Sequence, residues 1–422
     1  MERRTFIKIM SLVSGTLITS LNALAGNDKK TILIISGWQY ANIGDIAHTP
    51  GLLRLLQTYL PRQANIILWP NHENEAEEAM LKKNFPQLTI VNGEIKDGKV
   101  ESEEVKQALQ KADFLIHGSG PMLVGHEKVA YWQKNMKKPY GVLGITVSHV
   151  SDYLKDIFQG ADFVFTRETK SLQNLQDNGI TNPTIGFAPD ATFAMNLQDN
   201  PKAFSFMQKN DLEPGNFICA IPRLRKTPYY KIYPHFNWSR EKINEVDRLN
   251  ETKKEEDHAK LREAMITYIR QTGNKVVVCP EMTYQLDIMD ELLIDPLPVD
   301  VKSSVVKRET YWLPDEAGSL YQQAVAVLSF ECHSPIIAAV NQTPCFYLRQ
   351  PEDTIKGQMW YDIGLKDWVF EIEEVKGEQV AQQLMKIVNN PEWAAKYLAS
   401  AMDITKFQYE NNFDKIEGHW LS

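Results

Sequence analysis

The sequence predicts an α/β protein built from two Rossmann-like domains that face a cleft. Short apolar runs such as Thr31–Ile35 and Phe217–Ile221 alternate with amphipathic stretches, which is typical of parallel sheets with helices on both faces. The chain has 422 residues, which is too long for one typical hydrophobic core. A polar segment bounded by proline and glycine, residues 201–215, separates the two α/β halves.

The N-terminus predicts an export signal. Arg3 and Arg4 are adjacent, a short apolar stretch follows, and residues 23–25 (ALA) have the pattern of a cleavage site. An arginine pair in that context resembles a twin-arginine signal. We therefore expect a periplasmic or exported protein cleaved after Ala25, with a Sec signal or an uncleaved anchor as the alternatives. No membrane span is expected after cleavage, because no later run approaches the ~20 apolar residues that a span needs.

The predicted organisation has four parts. Residues 1–25 are the signal, 26–205 the N-terminal domain, 206–375 the C-terminal domain, and 376–422 are helices expected to cross back to the first domain. A net charge of -8 argues against a nucleic-acid binder. The four cysteines lack CxxC spacing, so we predict no structural zinc. We also expect no cofactor. Three carboxylates could hold a cation, but a solvated surface is the preferred interpretation for them: Glu281, Asp287 and Asp290.

The turn after the first strand is a candidate ligand site. A strand, a glycine-bearing turn and a helix together aim backbone N–H groups at an anion. We expect Thr49 to be the N-cap of the following helix, with Pro50 in its first turn. An ordinary βα turn is the equally weighted alternative. The candidate binding residues in this turn are Gly37, Asn42, Gly44 and Asp45.

Polar residues follow several other predicted strands, and the carboxyl ends of strands are where open α/β sheets bind ligands. An arginine fork suits a carboxylate or phosphate. The alternatives are surface pairing of Arg167 with Glu168 or Asp190, and a solvated basic loop at residues 223–226. The candidate binding residues in these loops are His117, Gly118, Arg167, Asp190, Arg223, Arg225 and Lys356.

The C-terminal block suggests acid–base chemistry. Glu331 and His333 follow a predicted strand, and Pro335 begins a helix. A histidine beside a carboxylate at a strand end suits general acid–base catalysis. The aromatic segment 227–238 could stack on sugar rings, although a loop packing on its own domain is the preferred interpretation.

These motifs together resemble the polysaccharide pyruvyl transferase family, over most of residues 31–360. The matching residues are Gly37 with 42–47 (NIGDIA), 116–120 (IHGSG), Arg167-Glu168 with Ser171, Leu175 and 179–180, Pro189-Asp190, and His333-Ser334 with Ala338 and Pro344. The resemblance implies a glycosyltransferase-B-like fold and transfer of a pyruvyl group from phosphoenolpyruvate to a sugar, usually as a cyclic ketal.

The resemblance also implies roles for individual residues. His333 would be the general acid that protonates the methylene carbon of the donor, and Arg223 or Arg225 would hold its carboxylate or phosphate. The loop from Gly37 to Asp45 would face the donor or acceptor. Family members often carry arginine where this chain has Glu331, and phosphoenolpyruvate should be scarce outside the cytoplasm.

Two other functions therefore stay open. One is an exported hydrolase or lyase that acts on an acidic or pyruvylated polysaccharide with Glu331 and His333 as its acid–base pair. The other is a non-catalytic glycan-binding protein that uses the aromatic segment 227–238. In every case the expected partner is a polysaccharide or sugar.

Overall fold

Two parallel sheets organise the chain in the computed structural model, which describes residues 29–60, 64–181 and 183–421. The predicted export signal lies outside these residues. The first sheet has the strand order β3-β2-β1-β6-β7-β8-β9, and β4 and β5 form a separate antiparallel hairpin. The strands are β1 Thr31–Ile35, β2 Asn65–Leu68, β3 Thr89–Ile90, β4 Ile95–Lys96, β5 Lys99–Val100, β6 Phe114–His117, β7 Tyr140–Ile145, β8 Phe163–Thr166 and β9 Thr184–Phe187.

The second sheet has the strand order β12-β11-β10-β13-β14-β15, and every neighbouring pair is parallel. Its strands are β10 Phe217–Ile221, β11 Lys275–Val278, β12 Val305–Lys307, β13 Val327–Ser329, β14 Cys345–Arg349 and β15 Val369–Glu371. All five residues of β1 and of β10 are buried, as expected for central strands covered on both faces. The predicted α/β class with two parallel sheets is confirmed.

Helices cover both sheets. The helices are α1 Ile43–Tyr59, α2 Glu75–Asn84, α3 Glu103–Lys111, α4 His126–Tyr131, α5 Asp152–Gly160, α6 Thr169–Asp177, α7 Asn200–Lys209, α8 Tyr229–Ile232, α9 Arg240–Thr272, α10 Val299–Lys302, α11 Pro314–Tyr321, α12 His333–Val340, α13 Gln358–Asp362, α14 Gly377–Asn389 and α15 Pro391–Leu421. Among the described residues, no helix combines the length and apolar character that crossing a bilayer requires.

The N-cap of the first helix lies seven residues before the predicted position. Asn42 has extended backbone angles, and its Oδ1 accepts hydrogen bonds from the N–H groups of Gly44 at 2.7 Å and Asp45 at 3.3 Å. These bonds satisfy two N–H groups that the helix would otherwise leave unpaired. Pro50 therefore lies inside α1, and the prediction of an N-cap at Thr49 was wrong.

Backbone hydrogen bonds join the two halves beside this helix start. The N–H of Ile43 donates to the carbonyl of Glu281 at 3.0 Å, and the N–H of Thr283 donates to the carbonyl of Ala41 at 2.9 Å. The loop after β1 is thus held against the loop after β11. This contact brings the carboxyl ends of the two sheets face to face.

The last helix returns to the first sheet. The Tyr409 hydroxyl donates to the carbonyl of Asp190 at 2.7 Å, and Asn412 Nδ2 donates to the carbonyl of Phe187 at 2.8 Å. The expected domain boundary at 205 falls inside α7. The change from one sheet to the other takes place over residues 188–216, between β9 and β10.

Candidate active site

His333 occupies the centre of the contact between the two sheets. It is the first residue of α12, and a Cβ added to Gly44 would lie 2.4 Å from its ring atoms. Its Nδ1 lies 3.6 Å from Glu281 Oε1, and its Nε2 lies 3.8 Å from Asp190 Oδ2. Within the described residues, Nε2 is buried and makes no hydrogen bond. The imidazole therefore sits between carboxylates supplied by the two halves of the chain.

The surroundings of His333 favour its protonated form. Burial opposes a positive charge, but the Cys332 sulfur and the carboxylates of Asp190 and Glu281 outweigh it and raise the pKa of His333 well above its ordinary value. The sequence suggested that Glu331 would be the neighbouring carboxylate. In the structure, the carboxylates within 4.0 Å of His333, among the described residues, are Glu281 and Asp190.

Asp190 is held in place by several donors. Arg167 Nη1 donates to Oδ2 at 2.7 Å, the Thr192 N–H donates to Oδ1 at 2.9 Å, and His48 Nδ1 lies 3.0 Å from Oδ1. Burial would raise the pKa of Asp190, but His48, His333 and Arg167 outweigh it and lower the pKa well below its usual range. Arg167 is only 1% exposed, so its pairing is internal and not on the surface. Its contacts make it a support for Asp190.

His48 was missed by sequence reasoning. Its Nδ1 lies 2.7 Å from Ser119 Oγ, its ring centroid lies 5.0 Å from that of His333, and its Nε2 lies 3.9 Å from Asp45 Oδ1. Residues 44, 45 and 48 share one face of a helix because of the spacing of three and four residues. That spacing is visible in the sequence, but the wrong N-cap prediction at Thr49 concealed it.

Glu281 is the second missed residue. It is fully buried, and its Oε2 accepts a hydrogen bond from the N–H of Ser334 at 2.5 Å, while Oε1 makes none within the described residues. The interpretation of Glu281 as a solvated carboxylate was wrong. A charged residue that directly follows a buried strand can be recognised in the sequence as a candidate for an internal role. Its partner Ser334, however, lies 53 positions away in the sequence.

One group of residues, among those described, has the composition of a metal site. His48, Asp190 and His333 are buried, and one ligand atom of each lies within 4.8 Å of the others. The guanidinium of Arg167 already neutralises Asp190 at 2.7 Å, and a cation beside it would be repelled. The expectation of no metal stays a prediction.

A second charged group surrounds Glu331. Arg223 Nε lies 3.3 Å from Glu331 Oε1, and Arg223 Nη1 donates to Asp353 at 2.6 Å. Lys356 Nζ lies 2.8 Å from the same Asp353 oxygen. Burial raises the pKa of Glu331 to about 7, although Arg223 opposes the shift. Arg223 and Lys356, which the sequence predicted to bind an anion, are therefore paired with the carboxylates of Glu331 and Asp353.

The remaining predicted binding residues have internal partners. Arg225 donates from Nε and Nη2 to both oxygens of Asp257, at 2.5 and 2.8 Å. His117 lies 2.8 Å from the carbonyl of Val124, and its burial lowers its pKa to about 4. A Cβ on Gly118 would lie 3.1 Å from Leu52. Arg225, His117 and Gly118 therefore pack against other parts of the chain, and their role in ligand binding stays a prediction.

The aromatic segment reaches across to the other half. The Tyr233 hydroxyl donates to Gln39 Oε1 at 3.3 Å, and Gln39 Nε2 donates to Asp45 Oδ2 at 2.5 Å. The interpretation of a loop packed on its own domain was therefore incomplete. Asp45 and Gly44 lie at the site, while Asn42 serves as the helix cap and Gly37 supports the turn with a φ of 81°.

The family follows from the sequence of this site. The model of the polysaccharide pyruvyl transferase family matches residues 42–350, which include the helix cap, Asp190, Arg223 and His333. The chain belongs to the polysaccharide pyruvyl transferase family. The family is one of transferases, as the resemblance had indicated. No curated protein matches this family member in sequence.

Solved structures with the same architecture support a glycosyltransferase-B-like fold. The UDP-N-acetylglucosamine 2-epimerase from Neisseria meningitidis has a TM-score of 0.55 and 12% identity, over 92% of this chain and 99% of that chain. HepE from Anabaena, in complex with UDP and glucose, has a TM-score of 0.53 and 10% identity, over 93% and 98%. At such identities the likeness shows the fold alone.

Proposed function

We propose that this protein transfers a pyruvyl group from phosphoenolpyruvate to a sugar of a cell-surface or extracellular polysaccharide. The observation that carries the proposal is the position of His333, buried between Glu281 and Asp190 with Nε2 unpartnered within the described residues. Transfer begins with protonation of a carbon atom, which requires a positioned acid. An imidazolium flanked by carboxylates of both halves meets that requirement.

The chemistry balances with the groups at hand. His333 protonates the methylene carbon of the donor, and a sugar hydroxyl adds to the adjacent carbon. Phosphate then leaves, and a second hydroxyl adds to close the cyclic ketal. One hydroxyl proton replaces the proton that His333 lost, and the other leaves with the phosphate. Asp45, whose Oδ1 points toward His48 at 3.9 Å, is our candidate to receive a hydroxyl proton.

Arg223 and Lys356 are the proposed cations for the donor. Arg223 is 8% exposed, and its Nε makes no hydrogen bond within the described part of the chain. An arginine beside a lysine suits a carboxylate or phosphate, although both cations already face carboxylates here. Glu331 offsets this attraction when it is ionised, so its protonation state controls donor affinity in our proposal.

The test is transfer by the purified protein. We expect phosphate release that depends on a polysaccharide acceptor, with a new methyl signal of the ketal in NMR spectra of the product. His333→Gln should lower kcat by about 10²–10⁴-fold, the usual contribution of a general acid, with little change in donor affinity. His419→Gln is the matched control, because His419 Nε2 lies 3.1 Å from Thr184 Oγ1 at the start of β9, at the edge of the sheet opposite the site. Full activity of the His333 variant, or no acceptor-dependent release, would refute the proposal.

We also propose that the protein is exported. The support is the arginine pair at Arg3 and Arg4 and the small-residue pattern that ends at Ala25. Cells that express the full chain should contain the protein in the periplasmic fraction. Replacing both arginines with lysine should keep it in the cytoplasm, and an unchanged distribution would argue against the twin-arginine route.

A further inference from the structure

A groove of about 780 Å³ lies in the first half of the chain. It is lined by the residues that follow β2 and β3, by the β4–β5 hairpin, and by Val124, Gly125, Glu127 and Lys128 after β6. The volume lies within the range of sites that hold a ligand of several rings. Because these strands are parallel, the groove and the active site share the carboxyl edge of one sheet.

Three polar side chains lining this groove have an unpartnered atom. Asn71 Nδ2, His72 Nδ1 and Asn92 Oδ1 are buried and make no hydrogen bond within the described residues. Leaving such a group unpaired is unfavourable, so these atoms favour a ligand with both donors and acceptors. Sugar hydroxyls donate and accept at the same oxygen, which suits an amide N–H, an amide oxygen and an imidazole nitrogen together.

Aromatic rings connect the groove to the active site. The His72 ring centroid lies 5.7 Å from that of Tyr40, and Tyr40 lies 5.7 Å from Tyr233. Tyr233 donates to Gln39, which in turn donates to Asp45 at the active site. Tyr40 is 41% exposed, so part of its ring is open to a ligand. A chain of sugars in the groove would thus be continuous with one sugar beside Asp45.

The charge of the groove is predominantly negative. Glu73, Glu94, Glu101 and Glu127 line it, against Lys96 and Lys128. Lys128 is buried, and its Nζ donates to the carbonyl of Pro70 at 2.7 Å, while Lys96 Nζ lies 3.9 Å from Glu101. A cleft lined by one sign of charge repels ligands of that sign and concentrates the opposite one.

We propose that this groove binds the glycan chain of the acceptor and selects neutral or amino-bearing sugars over uronic-acid sugars. The inference rests on the proposed function, because it assigns the acceptor of that transfer. Unlike the proposed function, this inference can be tested by measuring oligosaccharide binding alone, without any donor.

The experiment titrates the protein with a panel of hexasaccharides in three charge classes, without phosphoenolpyruvate. The panel holds neutral oligomers including that of N-acetylglucosamine, the glucosamine oligomer, and the galacturonic acid oligomer. We expect a neutral or amino oligomer to bind at least tenfold more tightly than the uronic one. Asn92→Ala should weaken that binding at least fivefold at an unchanged melting temperature.

Charge reversal supplies the decisive comparison. The double variant Glu94→Lys/Glu127→Lys should weaken glucosamine binding and strengthen galacturonate binding by about tenfold each. Glu251→Lys/Glu256→Lys, on the exposed face of α9, changes the net charge equally and should leave both affinities unchanged. The inference would be overturned if the wild type bound the uronic oligomer more tightly than the others, or if it bound no oligomer. It would also be overturned if the control double variant changed the two affinities as much as the groove double variant does. Donor binding and His333-dependent phosphate release would remain measurable in that event.

Discussion

Replacement of Glu331 by glutamine should strengthen donor binding, and more so at high pH. The carboxylate is 4% exposed, lies 3.3 Å from Arg223 Nε and accepts a hydrogen bond from Gln285 at 3.0 Å. Glutamine keeps the size and an acceptor oxygen, and removes only the charge. The change therefore tests whether that negative charge opposes an anionic donor.

The expected change in donor affinity follows from comparing two free-energy costs, the repulsion between ionised Glu331 and the donor and the protonation of Glu331. An anion bound to the other side of Arg223 would lie about 6 Å from Glu331, where two unit charges repel by about 3 kcal/mol at an effective dielectric constant of about 20. Protonating Glu331 instead costs about 1.4 kcal/mol at pH 8, since its pKa is about 7. Protonation is cheaper, so the donor should bind the neutral form.

Wild-type affinity should then follow the neutral fraction of Glu331. Relative to the glutamine variant, the wild type should bind phosphoenolpyruvate about tenfold more weakly at pH 8, about twofold at pH 7 and almost equally at pH 6. The sign follows from a raised pKa, because the ionised form that opposes the donor accumulates as pH rises through 7.

Isothermal titration at the three pH values measures these ratios, and comparing two proteins cancels the titration of the ligand itself. Buffers of different ionisation enthalpy should also reveal nearly one proton taken up by the wild type at pH 8. Glu371→Gln is the matched control, because Glu371 pairs with Arg349 on the neighbouring strand ends. Equal pH profiles for the wild type and the Glu331 variant, or weaker binding by the variant, would refute the reasoning.

Two further substitutions test the geometry of the site and of its framework. Gly44→Ala should destabilise the protein by about 1–3 kcal/mol and abolish most activity, because the new Cβ would lie 2.4 Å from the His333 ring. Gly418→Ala meets nothing within 4 Å and should leave activity unchanged, with stability unchanged or slightly raised because alanine favours a helix more than glycine does. Arg225→Gln should cost about 3–5 kcal/mol in the same unfolding assay, because it leaves the buried Asp257 carboxylate without its guanidinium. Donor affinity per folded molecule should stay unchanged in that variant, and a specific loss of affinity would return Arg225 to the binding site.

The α/β class and the location of the site at strand ends were predictable from local patterns. Buried strands such as β1 and β10 are continuous apolar runs, and parallel strands bring their carboxyl ends to one edge. His333, Asp190 and Gly44 were named for that reason, and the structure places them in contact around one imidazole. Asn42 was also named, and its side chain caps α1; its role in ligand binding stays a prediction.

The choice of partner for each charged group depended on distant parts of the chain. Arg223 and Arg225 are two positions apart on one loop, yet one meets Glu331 and Asp353 and the other meets Asp257 on α9. Likewise, Glu281 and not Glu331 is the carboxylate beside His333 Nδ1. The periodicity of apolar residues and the ends of strands depend on neighbouring residues along the chain, so both can be predicted from the sequence. Ion pairs and buried hydrogen bonds form between residues that packing alone brings together, and only the folded arrangement of the two sheets determines them.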